Sequence, residues 1–224
     1  MKDIIAFDVY GTLVNPMLMK QPLRDLVGEG ADRFLELWRE KQIEYSFRRG
    51  LMKRYEDFAV CTAQALEFTS ISLAVKLSKD AQDELIKHYQ QLEAFPDVAS
   101  GLKSLRNARH ELVAFSNGTE ATVRGLLERA GVLQFLKEVI SVDDLKTFKP
   151  NPEVYEYLAK RLRRSKNETW LVSSNPWDVI GAKSAGLKAA WLKRKADAVF
   201  DPWGIEPDCV VPDLNALNSW FASR

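Results

Sequence analysis

The run Ile4-Ile5-Ala6-Phe7-Asp8-Val9-Tyr10-Gly11-Thr12-Leu13 opens with a short apolar strand that stops at an aspartate. In an open parallel sheet, ligands bind outside the carboxyl ends of the strands, so Asp8 stands where chemistry is done. Gly11 then lets the backbone turn tightly beneath it. A single aspartate at such a place would be read as a cap on a turn or helix. Three later strand ends repeat the pattern and decide against that.

Glu111-Leu112-Val113-Ala114-Phe115 runs into Ser116-Asn117-Gly118-Thr119, directly before a helical pattern. Val139-Ile140-Ser141 is followed, after an acidic stretch, by Lys149-Pro150-Asn151-Pro152 ahead of a helix starting near Glu153. The prolines hold the lysine in an extended loop. Trp170-Leu171-Val172 ends in Ser173-Ser174-Asn175-Pro176-Trp177-Asp178, and Val179 to Ala185 reads as a helix stopped at Gly186. The four ends supply a carboxylate, a small polar pair, a cation and a second carboxylate. From Phe95 onward strands are expected near 112–115, 138–141, 169–173, 188–192 and 208–211, alternating with helices. That order predicts an α/β fold with a doubly wound parallel sheet and helices on both faces.

After Val14 the alternation stops, and residues from Met17 to Ala94 read as helices only. Phe34, Leu35, Leu37, Trp38, Lys41, Gln42 and Tyr45 fall at helical spacing, as do Tyr55, Phe58, Ala59, Thr62 and Leu66; Asp80 to Leu92 gives a third helix. An inserted all-helical cap subdomain at 17–94 is therefore expected on a core made of 1–16 and 95–224. Phe47, Leu51, Met52 and Leu66 read as apolar positions that three helices cannot all bury, which predicts a homodimer.

The 224 residues suffice for one core plus a small subdomain, and 46% apolar content fits a globular enzyme. A net charge of +1 gives no general attraction to nucleic acid or membrane. The basic run Lys160, Arg161, Arg163, Arg164 and Lys166 reads as the solvated face and end of a helix. Cys61 and Cys209 are too few and too far apart in sequence for a disulfide framework or a zinc site. With no signal-peptide pattern and no long apolar stretch, a cytoplasmic location is expected. His88 and His110 lie on polar segments with no partner pattern, and both are expected at the surface.

Asp8-Val9-Tyr10-Gly11-Thr12, Ser116-Asn117-Gly118 and Lys149-Pro150, in this order and at these separations, resemble the motifs of the haloacid dehalogenase superfamily. The resemblance spans nearly the whole chain. Ser173-Ser174-Asn175-Pro176-Trp177-Asp178, with Trp38-Arg39-Glu40-Lys41-Gln42-Ile43-Glu44-Tyr45 in the insertion, is similar to the inverting L-2-haloacid dehalogenases and not to the phosphatases. That resemblance implies hydrolysis of haloacetates and L-2-halopropionates to D-2-hydroxy acids and halide.

It also implies roles. Asp8 would attack the halogen-bearing carbon to form an aspartyl ester, which water cleaves with Asp178 as base. Ser173 and Asn175 would hold Asp178, Lys149 and the water in register, and Lys149 would offset the cost of burying Asp8. Thr12 would orient Asp8 or Ser116, while Ser116, with backbone amides near Tyr10 and Leu13, would bind the substrate carboxylate. Arg39, Asn117 and the edge of Trp177 would receive the halide. Ile43, Phe58 and Trp177 would line the alkyl pocket or pack between the two parts, and Tyr155 would sit near Lys149 or Asp178. Glu40 is expected to point outward, since inward it would compete with halide for Arg39.

Phosphatases of the superfamily carry a second acid two residues after the nucleophile and another near the position of Asn175, the latter to hold magnesium. Here those positions are Tyr10 and Asn175. Asp8 and Asp178 beside the cation Lys149 would make a poor magnesium cage, so no metal or other cofactor is expected. A magnesium-dependent phosphatase acting on a small phosphorylated metabolite is the alternative.

Overall fold

The computed structural model describes residues 3–224. Six parallel strands form one sheet: β1 (Ile4–Phe7), β2 (Glu111–Ser116), β3 (Glu138–Ser141), β4 (Thr169–Ser173), β5 (Lys188–Leu192) and β6 (Cys209–Val211). Their order is β3-β2-β1-β4-β5-β6. The chain therefore builds outward from β1 through β2 to β3, then returns to the other side of β1 with β4. The gap between β1 and β4 is the switch point where a doubly wound sheet opens a crevice. Phe7 pairs with Val172, and the Asp8 amide donates to Val172 O at 3.0 Å, so Asp8 lies level with Ser173 across that gap.

Alternate strand residues face opposite ways, and both sets are buried. Ile5, Phe7, Leu112, Ala114, Trp170 and Val172 join one cluster; Ala6, Val113, Phe115, Ile140, Leu171 and Ala189 join the other. The first is covered by α5 (Val98–Asn107), α6 (Glu120–Arg129) and α9 (Leu214–Ala222), the second by α7 (Pro152–Leu162) and α8 (Pro176–Ser184). Gly101 lets α5 and α9 meet, since a Cβ there would stand 2.3 Å from Leu214 Cβ.

The helical cap comprises α1 (Lys20–Val27), α2 (Ala31–Met52), α3 (Phe58–Ser72) and α4 (Lys79–Tyr89). It leaves and rejoins the core at one clasp: Val14 forms an antiparallel bridge with Ala94, Asn15 N–H reaches Glu93 O at 2.9 Å, and Phe95 N–H reaches Leu13 O at 3.0 Å. Its apolar side chains, among them Leu23, Phe34, Trp38, Phe58 and Leu66, are continuous with the first core cluster.

Some expectations need correction. The cap has four α-helices, because α1 escapes a periodicity reading: Pro16 and Pro22 punctuate it and Gly28 and Gly30 follow it. Helix α3 begins at Phe58 with Asp57 as its cap, so Tyr55 stays outside and donates to Asp143 Oδ1 at 2.6 Å. Leu66 is buried on the inner side of α3, whereas Leu51 and Met52 are 86% and 61% exposed. His110 is buried, with Nδ1 3.6 Å from Asp3 Oδ2 and its ring against Phe221, because α9 closes over the entrance to β2. His88 is exposed as expected, and so is Glu40. Cys61 and Cys209 are free, with thiols that burial pushes up to about 11.

Candidate active site

Asp8 follows β1 and is 6% exposed. Its two oxygens are held unequally. Oδ2 accepts from Thr12 Oγ1 at 2.8 Å, Asn175 Nδ2 at 2.9 Å and Ser173 Oγ at 3.4 Å. Oδ1 accepts from Lys149 Nζ at 3.3 Å, and from no other protein donor among the described residues. The turn that holds Thr12 in place closes through Thr12 N–H and Leu13 N–H to Val9 O and Gly11 N–H to Val14 O. Gly11 has φ +87°, and a Cβ there would lie 3.3 Å from Ser174 Oγ and 3.7 Å from Arg39 Nη2. A glycine is thus required both by the turn and by what crowds it.

Lys149 lies in the loop before α7 and is completely buried. Its Nζ donates to Asp178 Oδ2 at 3.0 Å and Phe115 O at 2.8 Å as well as to Asp8, and it stands 4.4 Å from the centre of the Phe115 ring. The loop is fixed by Asn117, whose Oδ1 accepts the Lys149 N–H at 2.9 Å. The ammonium bridges two buried carboxylates, with every proton directed at an acceptor.

Asp178 sits in the first turn of α8, where the helix dipole favours a carboxylate. It is fully buried, with Oδ1 accepting from Tyr155 Oη at 2.7 Å and Oδ2 from Lys149. Burial pushes its carboxyl above the ordinary aspartate value, against the pull of Lys149 and with the push of Asp8. Tyr155 reaches it because of Gly181, where a Cβ would lie 2.5 Å from Tyr155 Oη. Burial, then Asp178, hold the Tyr155 phenol well above its ordinary value, so it remains a donor.

Asp8, Thr12, Lys149, Tyr155, Ser173, Asn175 and Asp178 thus form one connected network, with Asn117 tied to it through the Lys149 backbone. Two details differ from expectation. The Ser173 and Asn175 side chains bond Asp8, not the Asp178 carboxylate or the Lys149 ammonium, because the β1–β4 register sets Ser173 beside Asp8; Asn175 meets Asp178 only through its carbonyl, which accepts the Asp178 N–H at 3.0 Å at the start of α8. The Leu13 amide is committed to Val9 O at 2.9 Å and its side chain is buried, so it is no donor to a ligand; the Tyr10 amide bonds no protein acceptor among the described residues. Ser116 is buried at the end of β2, where its Oγ accepts from Gly118 N–H at 3.1 Å and keeps its own proton to donate.

The cap contributes Arg39 from α2, half-buried over the Gly11 turn. Arg39, Gly11, Asn175, Trp191, Arg194 and Lys195 share a cavity of about 430 Å³. The larger groove of about 730 Å³ lies elsewhere, between Tyr45, Met52, Phe68 and Ile71 on the cap, and holds none of the network. Phe58, Ile43 and Trp177 are not gathered on the Arg39 cavity. Phe58 packs on Tyr10 with ring centres 5.6 Å apart, Trp177 meets Phe47 edge-on at 5.2 Å, and Ile43 is half-buried against the core. Sequence reading missed Gln42 and Tyr89, which hydrogen-bond Arg39, and Ser174, which donates to Gly11 O at 2.8 Å. Gln42 could have been found from its place one helical turn beyond Arg39; Tyr89 carries no local signal. Among the described residues no three His, Cys, Asp or Glu side chains converge as metal ligands.

A doubly wound sheet with a helical cap and an aspartate–lysine–aspartate centre at its switch point is the architecture of a capped hydrolase built on a Rossmann-like core. The chain belongs to the haloacid dehalogenase-like hydrolase family, which it matches over residues 2–186. It is 34% identical over 213 residues to (S)-2-haloacid dehalogenase 2 of Pseudomonas sp. (strain CBS-3), covering 95% of this chain and 93% of that one. It is 36% identical to haloacetate dehalogenase H-2 of Moraxella sp. (strain B), covering 96% of each. The L-2-haloacid dehalogenase of Xanthobacter autotrophicus, one structure of which has chloropropionic acid covalently bound, superposes with a TM-score of 0.90 at 30% identity over 99% of both chains.

Proposed function

We propose that this chain hydrolyses short L-2-haloacids to D-2-hydroxy acids and halide through an aspartyl ester, with 17–94 as cap and 1–16 plus 95–224 as catalytic core. The observation that carries the reading is the unequal solvation of Asp8. Three donors fix Oδ2, while among the described residues Oδ1 meets only Lys149 and keeps a lone pair for attack. As the Oδ1–carbon bond forms, the carbon–halogen bond breaks from the opposite side and the halide departs with its electron pair. Back-side attack inverts the carbon.

The same asymmetry serves the second step. Once Oδ1 is esterified, Oδ2 is the ester carbonyl oxygen, already facing Thr12, Asn175 and Ser173. Water attacks Cγ, its proton passes to Asp178, and the negative charge that grows on Oδ2 meets donors in place beforehand. Collapse breaks the Cγ–Oδ1 bond, and the proton returns to the departing alkoxide. A raised Asp178 suits a base, and its oxygens each retain a second lone pair beside Tyr155 and Lys149. Ser116 and the Tyr10 amide take the substrate carboxylate; Arg39, with the Asn117 amide, takes the halide, while Trp177, packed on Phe47, has no part in it.

No metal enters this chemistry, because Lys149 Nζ already stands 3.3 and 3.0 Å from the two carboxylates a divalent ion would need. A second copy of the chain covers Met52 and Ile71, which are 61% and 74% exposed in the cap groove, and Leu51, which is 86% exposed beside Met52 at the end of α2. Among the described residues no helix is long and apolar enough to cross a membrane. The test is halide release from L- and D-2-chloropropionate with and without chelator, alongside light scattering. Turnover of the L-acid alone, indifferent to chelator, by a dimer is expected. Turnover of phosphate esters only on adding magnesium would replace this reading with the phosphatase.

A further inference from the structure

Resting on the dehalogenase reading, we propose that Tyr89 and Gln42 are positioning residues that hold the Arg39 guanidinium over the Gly11 turn through uncharged acceptors alone. Its full charge is thereby left for the departing halide. Arg39 Nη1 donates to Tyr89 Oη at 2.7 Å and to Gln42 Oε1 at 3.3 Å. Among the described residues no carboxylate pairs with it, and the neighbouring Glu40 is exposed.

The contrast lies in the same molecule. Arg194, which lines the same cavity, is neutralised by Asp97 at 2.6 Å. A partly buried arginine ordinarily takes such a partner, because an unpaired charge away from water is costly. At Arg39 a carboxylate would cancel the charge that halide needs, and the structure supplies a phenol and an amide in its place.

Proton directions fix that arrangement. Thr62 Oγ1 donates to Phe58 O at 2.7 Å, so it must accept from Gln42 Nε2 at 2.6 Å. The Gln42 amide is therefore oriented with Oε1 toward Arg39. Tyr89 Oη donates to that same Oε1 at 3.0 Å and is left as an acceptor for Arg39. Gln42 is 1% and Tyr89 4% exposed. The Tyr89 ring stacks on Tyr10 at 5.6 Å with a 15° tilt and meets Trp38 at 5.5 Å, so α4 locks the arginine of α2 against the loop that follows Asp8.

The test measures the half-reactions separately in the full-length enzyme. Halide release in a single turnover is followed with L-2-bromopropionate and L-2-chloropropionate, and ester hydrolysis by mass spectrometry. Tyr89→Phe keeps the ring stacking and removes one acceptor of a charged donor; halide release should slow roughly tenfold. Chloride should be affected more than bromide, since the smaller ion carries its charge closer to the guanidinium. Gln42→Glu should slow it by roughly a hundredfold or more, by neutralising Arg39. Gln42→Met, which buries no new charge, should fall between them. Ester hydrolysis should be unchanged in all three. Equal slowing of both steps and both halides, or no slowing in Tyr89→Phe and Gln42→Met, would overturn the positioning role. A wild-type enzyme releasing no halide from either acid would instead remove the reading beneath it.

Discussion

Replacing Lys149 with methionine keeps side-chain length and leaves two buried carboxylates facing each other without their cation. In the native site Nζ is 3.0 Å from Asp178 Oδ2 and 3.3 Å from Asp8 Oδ1. At an effective dielectric of about 20, each contact carries about 5 kcal/mol of attraction before desolvation is counted. Burial of the ammonium offsets most of this, and deleting one partner of such a cluster costs about 3–5 kcal/mol net. The urea midpoint should fall by about 1–2 M at the denaturant sensitivity of a chain this size. The loss must also depend on pH. One of the two carboxyls will hold a proton in the folded variant, raised above its unfolded value as Asp178 already is by burial. The folded state then binds more protons than the unfolded one, so stability falls as pH rises through the folded value. The deficit against wild type should be small near about pH 4 and full near about pH 8, where both groups would be charged. Tryptophan fluorescence during urea titration at several pH values reads it directly. Adding Asp178→Asn to the variant should restore part of the loss at high pH. A deficit that ignores pH, with no rescue by the second substitution, would refute the reasoning.

Asp8→Asn should abolish halide release, and in a single turnover of the wild type in heavy-oxygen water the label should appear in Asp8 before it appears in the hydroxy acid. Asp178→Asn should release one equivalent of halide and then accumulate the ester, visible as an adduct in intact-protein mass spectrometry. In the wild type the acid limb of kcat should lie above the ordinary aspartate range, because Asp178 must lose its proton to act and burial raises its pKa. Gly181→Ala puts a methyl 2.5 Å from Tyr155 Oη and 2.7 Å from Pro150 Cβ; thermal unfolding should register a loss of about 1–3 kcal/mol, and ester hydrolysis should slow as Tyr155 leaves Asp178.

The core was legible because its signals are local. Each strand is a short apolar run ending in polar residues, and the expected limits differ from the observed ones by a residue or so, as with 208–211 against Cys209–Val211. The four strand ends converge because a parallel sheet brings all carboxyl ends to one side, so Asp8, Ser116, Lys149 and Asp178 could be named before any distance was known. What escaped was whatever depends on register or on proton direction. Ser173 and Asn175 turn toward Asp8 because β4 lies directly beside β1, a neighbour relation that strand patterns do not encode. Leu13 lost its binding role to a backbone hydrogen bond within the turn, and His110 went inside because α9, a hundred residues later, covers it. Tyr89 was invisible for the same reason: its partners Arg39 and Tyr10 lie far back along the chain.

The position of β1 bears on how the molecule comes into being. Ile4 is paired on one side with Glu111 and on the other with Thr169, each more than a hundred residues onward. The strand that carries Asp8 is thus synthesised first and secured late, since both pairings close long loops. The α2–α3 pair joins neighbours in sequence and needs no such wait. Until β4 takes its place beside β1, Asp8 lacks the serine and asparagine that give its two oxygens different tasks.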